Sequence, residues 1–207
     1  MPISQAAAVL NAKAAQCDSL IANAHRMDAI GGHLFPQLDR EQITIAAFLN
    51  LFVAWEEFLE AVFSSFLTGA PTLSGSLPVK HASPPSADIA KGMLIGTNRY
   101  FDYANHDNVR KMASVYFQDG YPFEAPLSAV LTDLADLRTM RNASAHISST
   151  TQRALEALAQ RIFSVPRPGI SLYAMLTEID PRSAQANTVY AEARQKLLVT
   201  AQLIAHG

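Results

Sequence analysis

Residues 39–67 read DREQITIAAFLNLFVAWEEFLEAVFSSFL, and this stretch decides the fold. Phe48, Leu51, Phe52, Trp55, Phe58, Leu59, Val62 and Phe66 recur at steps of three and four. On a helix of ~3.6 residues per turn that spacing gathers them into one wide apolar stripe. Asp39 followed by Gln42 has the spacing of a capping box, with Asp in place of the usual Ser or Thr, and Gly69 and Pro71 close the far end. The pattern predicts a long central helix around which the remaining elements pack.

Upstream, the Ala-rich stretch from Ser4 to Ile30 interleaves polar residues and stops at Gly31-Gly32, which predicts a first helix of that length. Pro36 is expected to block any restart before Leu38. Downstream, residues 69–86 (GAPTLSGSLPVKHASPPS) concentrate Pro, Gly and Ser without periodicity and read as one long connection. An interdomain linker is the alternative, but two helices alone are too little to bury the central stripe, so one domain with a long loop is the better reading. A short helix follows Asp88, another is expected from Asp107 to Phe117, and a third from Pro126 to about Ala145. Gln152 to Phe163 and about Ala184 to Ala205 give two more, separated by a Pro-containing turn at Val165 to Gly169. Strict period-2 alternation is absent. The expectation is an all-α, single-domain helical bundle over residues 1–207, with five to seven helices.

Composition bounds the function. The chain has 207 residues, 49% of them hydrophobic and 16% charged, against roughly 25% charged in an average soluble domain. Sixteen Lys and Arg face 18 Asp and Glu, for a net charge of −2. Proteins that coat nucleic acid by bulk electrostatics are basic, so that class is excluded, while a small local site is not. Cys17 is the single cysteine, which excludes an intrachain disulfide and a Cys-rich zinc centre. Met1 to Leu20 lacks the pattern of a secretion signal. Ile43 to Trp55, the longest apolar run, falls short of the ~20 residues that span a bilayer. A cytoplasmic protein without a membrane segment is expected.

The segment Leu137-Arg138-Thr139-Met140-Arg141-Asn142-Ala143-Ser144-Ala145-His146 carries the chemistry. Asn142 and His146 are i,i+4 neighbours on a helix, and Arg138 lies one turn earlier on the same line. Arg141 is roughly 140° from His146 around the axis, but its long side chain can swing toward the imidazole. An imidazole takes and gives protons near neutral pH. A guanidinium grips two non-bridging phosphate oxygens and stabilises transition-state charge. On RNA the pair would activate a 2′-OH against the adjacent phosphate with no metal or other cofactor. The competing structural reading is that Arg141 and His146 simply cap the negative end of a helix dipole.

Arg141-Asn142, three residues, then His146 resembles the R-x4-6-H signature of the HEPN superfamily, in its RN-x3-H form. Ala54-Trp55-Glu56-Glu57-Phe58-Leu59 is similar to the Trp-Glu helix of the RiboL-PSP-HEPN branch. The resemblance implies a compact helical bundle and a metal-independent endoribonuclease that serves as a toxin or in antiviral defence. It implies a homodimer whose two motifs face a shared cleft, and a partner protein such as an antitoxin or defence-system component. Arg141 and His146 would then be catalytic, with Asn142 positioning them and Glu56 and Arg138 in support. Toxins of this kind that are silenced by modification often carry Tyr two residues after the His; here the position is Ser148. The superfamily also contains non-catalytic members that bind RNA or a protein partner, which is the alternative reading.

Other candidates are weaker. Trp55 and its Phe neighbours read as core, and Glu56, Glu57 and Glu60 as a solvated face. Asp102, His106 and Asp107 have spacing compatible with a metal, but a loop or helix N-cap is the first reading of them. Arg99, Tyr100, Phe101, Tyr103, Arg110 and Lys111 interleave cations with rings, a composition suited to stacking single-stranded RNA, unless the rings pack inward. His25, His33, His81 and His206 are dispersed and suggest no shared site. No Gly-rich phosphate loop or Ser nucleophile elbow is present.

Overall fold

The central stripe becomes α2, which spans Gln37–Leu67 in a computed structural model that describes residues 1–145 and 148–207. Pro36 does not delay the helix. Its carbonyl accepts the Arg40 N–H at 3.1 Å, so the helix starts directly after it. Proline lacks only an N–H that a helix's first turn leaves unpaired anyway. Asp39 therefore sits inside the first turn, where its charge meets the positive end of the helix dipole, rather than capping it. From Phe58 to Leu67 only Glu60 and Ala61 escape full burial, as expected of a helix that is covered nearly all round.

Eight further α-helices complete the described chain, which is all-helical. They are α1 (Ile3–Ala24), α3 (Ala87–Ile95), α4 (His106–Tyr116), α5 (Glu124–Ala129), α6 (Leu131–Ala145), α7 (Ser149–Phe163), α8 (Leu172–Thr177) and α9 (Val189–His206). A 3₁₀ turn at Gln118–Gly120 follows α4. None of the described helices is long and apolar enough to cross a membrane.

Three boundaries depart from the sequence expectation, each for a local reason. α1 stops at Ala24 rather than Ile30 because Asp28 organises a tight turn. Its carboxylate Oδ1 accepts the Ile30 and Gly32 N–H groups at 2.9 and 2.8 Å. Gly32 approaches that carboxylate so closely that a Cβ there would meet Oδ2 at 2.9 Å. The helix expected from Pro126 to Ala145 breaks at Val130 (φ −125°, ψ 22°) into α5 and α6. The Val130 carbonyl then accepts the Leu134 N–H as the new helix starts. α9 begins at Val189 rather than near Ala184, with the Thr188 hydroxyl accepting the Ala191 N–H at 3.2 Å as its cap. The break at Val130 and the short α8 raise the number of helices among the described residues above the five to seven expected.

The chain divides into two compact units, neither a continuous stretch. The first comprises residues 1–11, 54–135 and 196–207; the second comprises residues 12–53 and 136–195. The first has an aromatic core. The Phe63 and Phe123 rings stack at 4.8 Å between centroids, and Phe117 tilts against Phe63 at 5.3 Å. Such pairs add about 0.5–1.5 kcal/mol each beyond the burial itself. Buried Trp55 donates its indole N–H to Nε2 of equally buried His106 at 2.9 Å. The second unit buries Phe48, Leu51 and Phe52 of α2, Leu155, Leu158 and Ile162 of α7, and Met175 and Leu176 of α8.

The long 69–86 connection is packed in the first unit rather than loose. The Leu73 N–H reaches the Ala205 carbonyl, the Ser74 hydroxyl reaches the His206 carbonyl, and Lys80 pairs with Phe117 in an isolated bridge. Lys80 Nζ also donates to the Leu67 carbonyl at 2.8 Å, supplying the cation that the last turn of α2 lacks.

Candidate functional site at the end of helix α6

Helix α6 presents the motif because its apolar residues fix its rotation. Leu134, Leu137 and Met140 are buried, which turns Arg138, Arg141 and Asn142 to the flank of that stripe. An ion pair locks the helix further: Arg161 of α7 grips both carboxylate oxygens of buried Asp136, one of them at 2.9 Å. This two-pronged geometry is the form in which an Arg–carboxylate pair constrains orientation as well as distance.

Arg138, Arg141 and Asn142 are all half-buried and lie within one turn of each other. Arg141 Nη1 donates to the Asn142 Oδ1 at 3.4 Å, and the Arg141 Nε atom is shielded from solvent. The Ser144 hydroxyl donates back to the Arg141 carbonyl at 2.6 Å, covering one of the carbonyls that a helix C-terminus leaves open. One guanidinium nitrogen thus meets the Asn142 side chain, while the Ser144 contact ties down the backbone of the same turn. A guanidinium is a fork of donors, the geometry that suits a phosphate or carboxylate. Asn142 supplies both an acceptor that orients the arginine and an amide donor.

His146 lies outside the described residues. Glu56 belongs to the first compact unit, whereas Arg138, Arg141 and Asn142 belong to the second. Glu56 is half-buried with one carboxylate oxygen shielded from solvent, so it departs from the solvated face expected for it; Glu57 is exposed, and Glu60 pairs with Lys91 at 2.5 Å. Ser148 is the N-cap of α7. Its hydroxyl accepts the Thr151 N–H at 3.2 Å while the Thr151 hydroxyl accepts the Ser148 N–H at 3.0 Å.

The weaker candidates resolve differently. His106 is a core residue, and because an indole N–H only donates, Nε2 is an acceptor and the proton rests on Nδ1. Among the described residues, no three His, Cys, Asp or Glu side chains converge on a metal position, so Asp102, His106 and Asp107 do not form one. Arg110, expected among the RNA-facing cations, is engaged by Glu124, whose oxygens it meets at 2.5 and 3.2 Å. That pairing draws the Glu124 carboxyl below its usual range, chiefly through the Arg110 hydrogen bond.

The histidines are less dispersed than the sequence suggests. His25 stacks on Tyr173 at 5.9 Å, meets His33 edge-on at 6.4 Å and hydrogen-bonds the Thr44 hydroxyl at 3.2 Å. Burial, followed by the nearby charges of Arg40 and His33, lowers its pKa. No local sequence pattern announces this cluster: Tyr173 is remote in the chain, and the Asp28 turn is what folds His33 back. No protein-family model matches this chain, and neither a curated protein nor a solved structure is significantly similar to it.

Proposed function

We propose that the chain is a metal-independent endoribonuclease of HEPN type, acting as a toxin or defence effector, with Arg141 and His146 in the catalytic roles. The observation that carries the reading is the half-buried Arg141 guanidinium, oriented by Asn142 beside Arg138 on one flank of α6. His146 acts as general base or acid. A base removes the proton from a ribose 2′-OH; the oxygen attacks the adjacent phosphorus; the 5′-oxygen leaves and takes a proton from an acid. The products are a 2′,3′-cyclic phosphate and a 5′-hydroxyl. Arg141 neutralises the charge that builds on the non-bridging oxygens, and Arg138 holds a neighbouring phosphate.

A homodimer accompanies this activity. Met27, Ile30, Leu34, Phe35 and Leu38 are all exposed in the short stretch between α1 and the first turn of α2, with Ile30 93% exposed. Apolar side chains clustered on a surface in this way suit a second copy of the chain better than water. Ser148 is occupied by the cap of α7, so silencing by modification at that position is not part of the proposal.

Incubating purified protein with RNA in excess chelator tests the reading. Wild type is expected to cut, while Arg141→Ala and His146→Ala are expected to lose at least about 100-fold in rate, the scale of a lost acid–base or charge-stabilising group. Arg141→Lys is expected to fail as well, because a point charge does not reproduce the fork. If wild type binds RNA but never cuts it, the chain is a binding module and the catalytic assignment falls.

A further inference from the structure

The segment that joins α3 to α4 builds a cleft in the first unit that the nuclease reading does not use. α3 ends at Gly96, whose backbone turns at φ 57° with its N–H on the Gly92 carbonyl. The chain then runs back to Asn105, whose side chain caps α4. This reversal leaves an open cavity of about 530 Å³, within the roughly 300–1,000 Å³ typical of small-molecule sites. Leu94 and Met112 give it an apolar lining, and Tyr100 and Phe101 form a wall. Phe101 is held edge-on by buried Tyr103, with centroids 4.8 Å apart at 72°. Tyr100, by contrast, is 72% exposed, so its ring is accessible from solvent at the cleft.

The polar groups around that ring have one consistent chemistry. Arg99 and Lys111 line the cleft, both are exposed, and neither makes an ion pair among the described residues. Asn98 and Asn108 contribute amides that both donate and accept. The single carboxylate, Asp102, already accepts the Ala104 N–H at 3.1 Å. An acidic peptide would use the two cations but leave the exposed ring and the amides idle. An apolar ligand would bury two charges without partners, which is costly. A planar heteroaromatic base joined to a phosphate uses every group: ring on ring, base edge on amides, phosphate on cations.

We infer that this cleft is a nucleotide site, which takes a base on the face of Tyr100 and its phosphate on Arg99 and Lys111. The occupant is either a free mononucleotide or one nucleotide of a single RNA strand. None of Arg138, Arg141 and Asn142 lines the cleft, so the site stands whether or not the chain cleaves RNA.

Two probes distinguish the sources, both used with the full chain. One is AMP, followed by calorimetry. The other is a fluorescent oligoadenylate with 2′-O-methyl riboses, followed by anisotropy; it lacks the 2′-OH and so reports binding apart from any cleavage. AMP binding assigns a free nucleotide, and binding of the oligonucleotide alone assigns a strand. For whichever probe binds, Tyr100→Ala is expected to weaken affinity about tenfold while Tyr100→Phe keeps it, since stacking needs the ring and not the hydroxyl. Arg99→Ala combined with Lys111→Ala is expected to weaken binding and flatten its dependence on salt. All these positions are exposed, so circular dichroism should be unchanged. The inference is overturned if wild type binds neither probe, if Tyr100→Ala binds as tightly as wild type, or if loss of both cations leaves affinity and salt dependence intact.

Discussion

The indole N–H of Trp55 and Nε2 of His106 complete each other in the interior of the first unit. Trp55→Phe keeps an aromatic ring but leaves that imidazole nitrogen buried without its donor. A loss of about 2 kcal/mol is expected, combining an unmet acceptor with a small void. Urea denaturation of the variant measures it, and a loss below about 0.5 kcal/mol would mean the nitrogen finds another donor. His25 gives a prediction in pH. Its pKa is lowered in the folded chain, so between that value and the ordinary histidine value the unfolded chain binds more protons. Its contribution to stability is therefore complete above the ordinary value and is lost as pH falls through the folded one. His25→Gln should flatten the decline of stability as pH falls below the ordinary histidine range, relative to wild type; an equally steep decline would place the titrating group elsewhere. The two histidines also mark what a sequence reading reaches. Trp55 was legible as core from its position on the stripe. His106 was open between cap, loop and ligand because its partner is remote in sequence, and the His25–Tyr173 stack depends entirely on tertiary folding.

Among the elements, α2 was legible because its apolar spacing is long and regular, and its end was signalled by Gly69 and Pro71. Breaks without Gly or Pro were not legible. Val130 interrupts what the periodicity joins, and only the packing on either side distinguishes α5 from α6. The start of α9 was misplaced by a few residues although Thr188, its cap, stands in the sequence, because the Ala-containing run before it also suits a helix. The 69–86 connection shows how an element is completed from outside itself: Lys80 supplies the cation at the C-terminus of α2. Lys80→Met keeps the stem and removes the charge. A loss of about 1 kcal/mol is expected, with faster hydrogen exchange in the last turn of α2. Unchanged exchange there would mean that water serves that carbonyl as well as the ammonium does. The candidate motif was legible as spacing on α6. The local orientation of Arg141 by Asn142 required the folded helix.

At the scale of the whole molecule, the small charge fraction and the net of −2 fit a protein that meets RNA at a few points rather than along a coat. The two compact units interleave segments of the chain, so no linker in the sequence marks their border. The exposed apolar stretch from Met27 to Leu38 carries the expectation of a homodimer. Ile30→Asp alters a fully solvated side chain and should leave folding intact while shifting the protein from dimer to monomer in light scattering after gel filtration. A monomeric wild type would remove the dimer from the account. The central claim is that this chain cuts RNA through its own ribose hydroxyl, with protein side chains in place of a metal. The direct measurement is end-group analysis of an RNA oligonucleotide incubated with wild-type protein in excess chelator, beside the same oligonucleotide with 2′-O-methyl riboses. The account predicts 2′,3′-cyclic phosphate and 5′-hydroxyl ends from the first and no cleavage of the second. Intact RNA in both, or equal cutting of both, would contradict it.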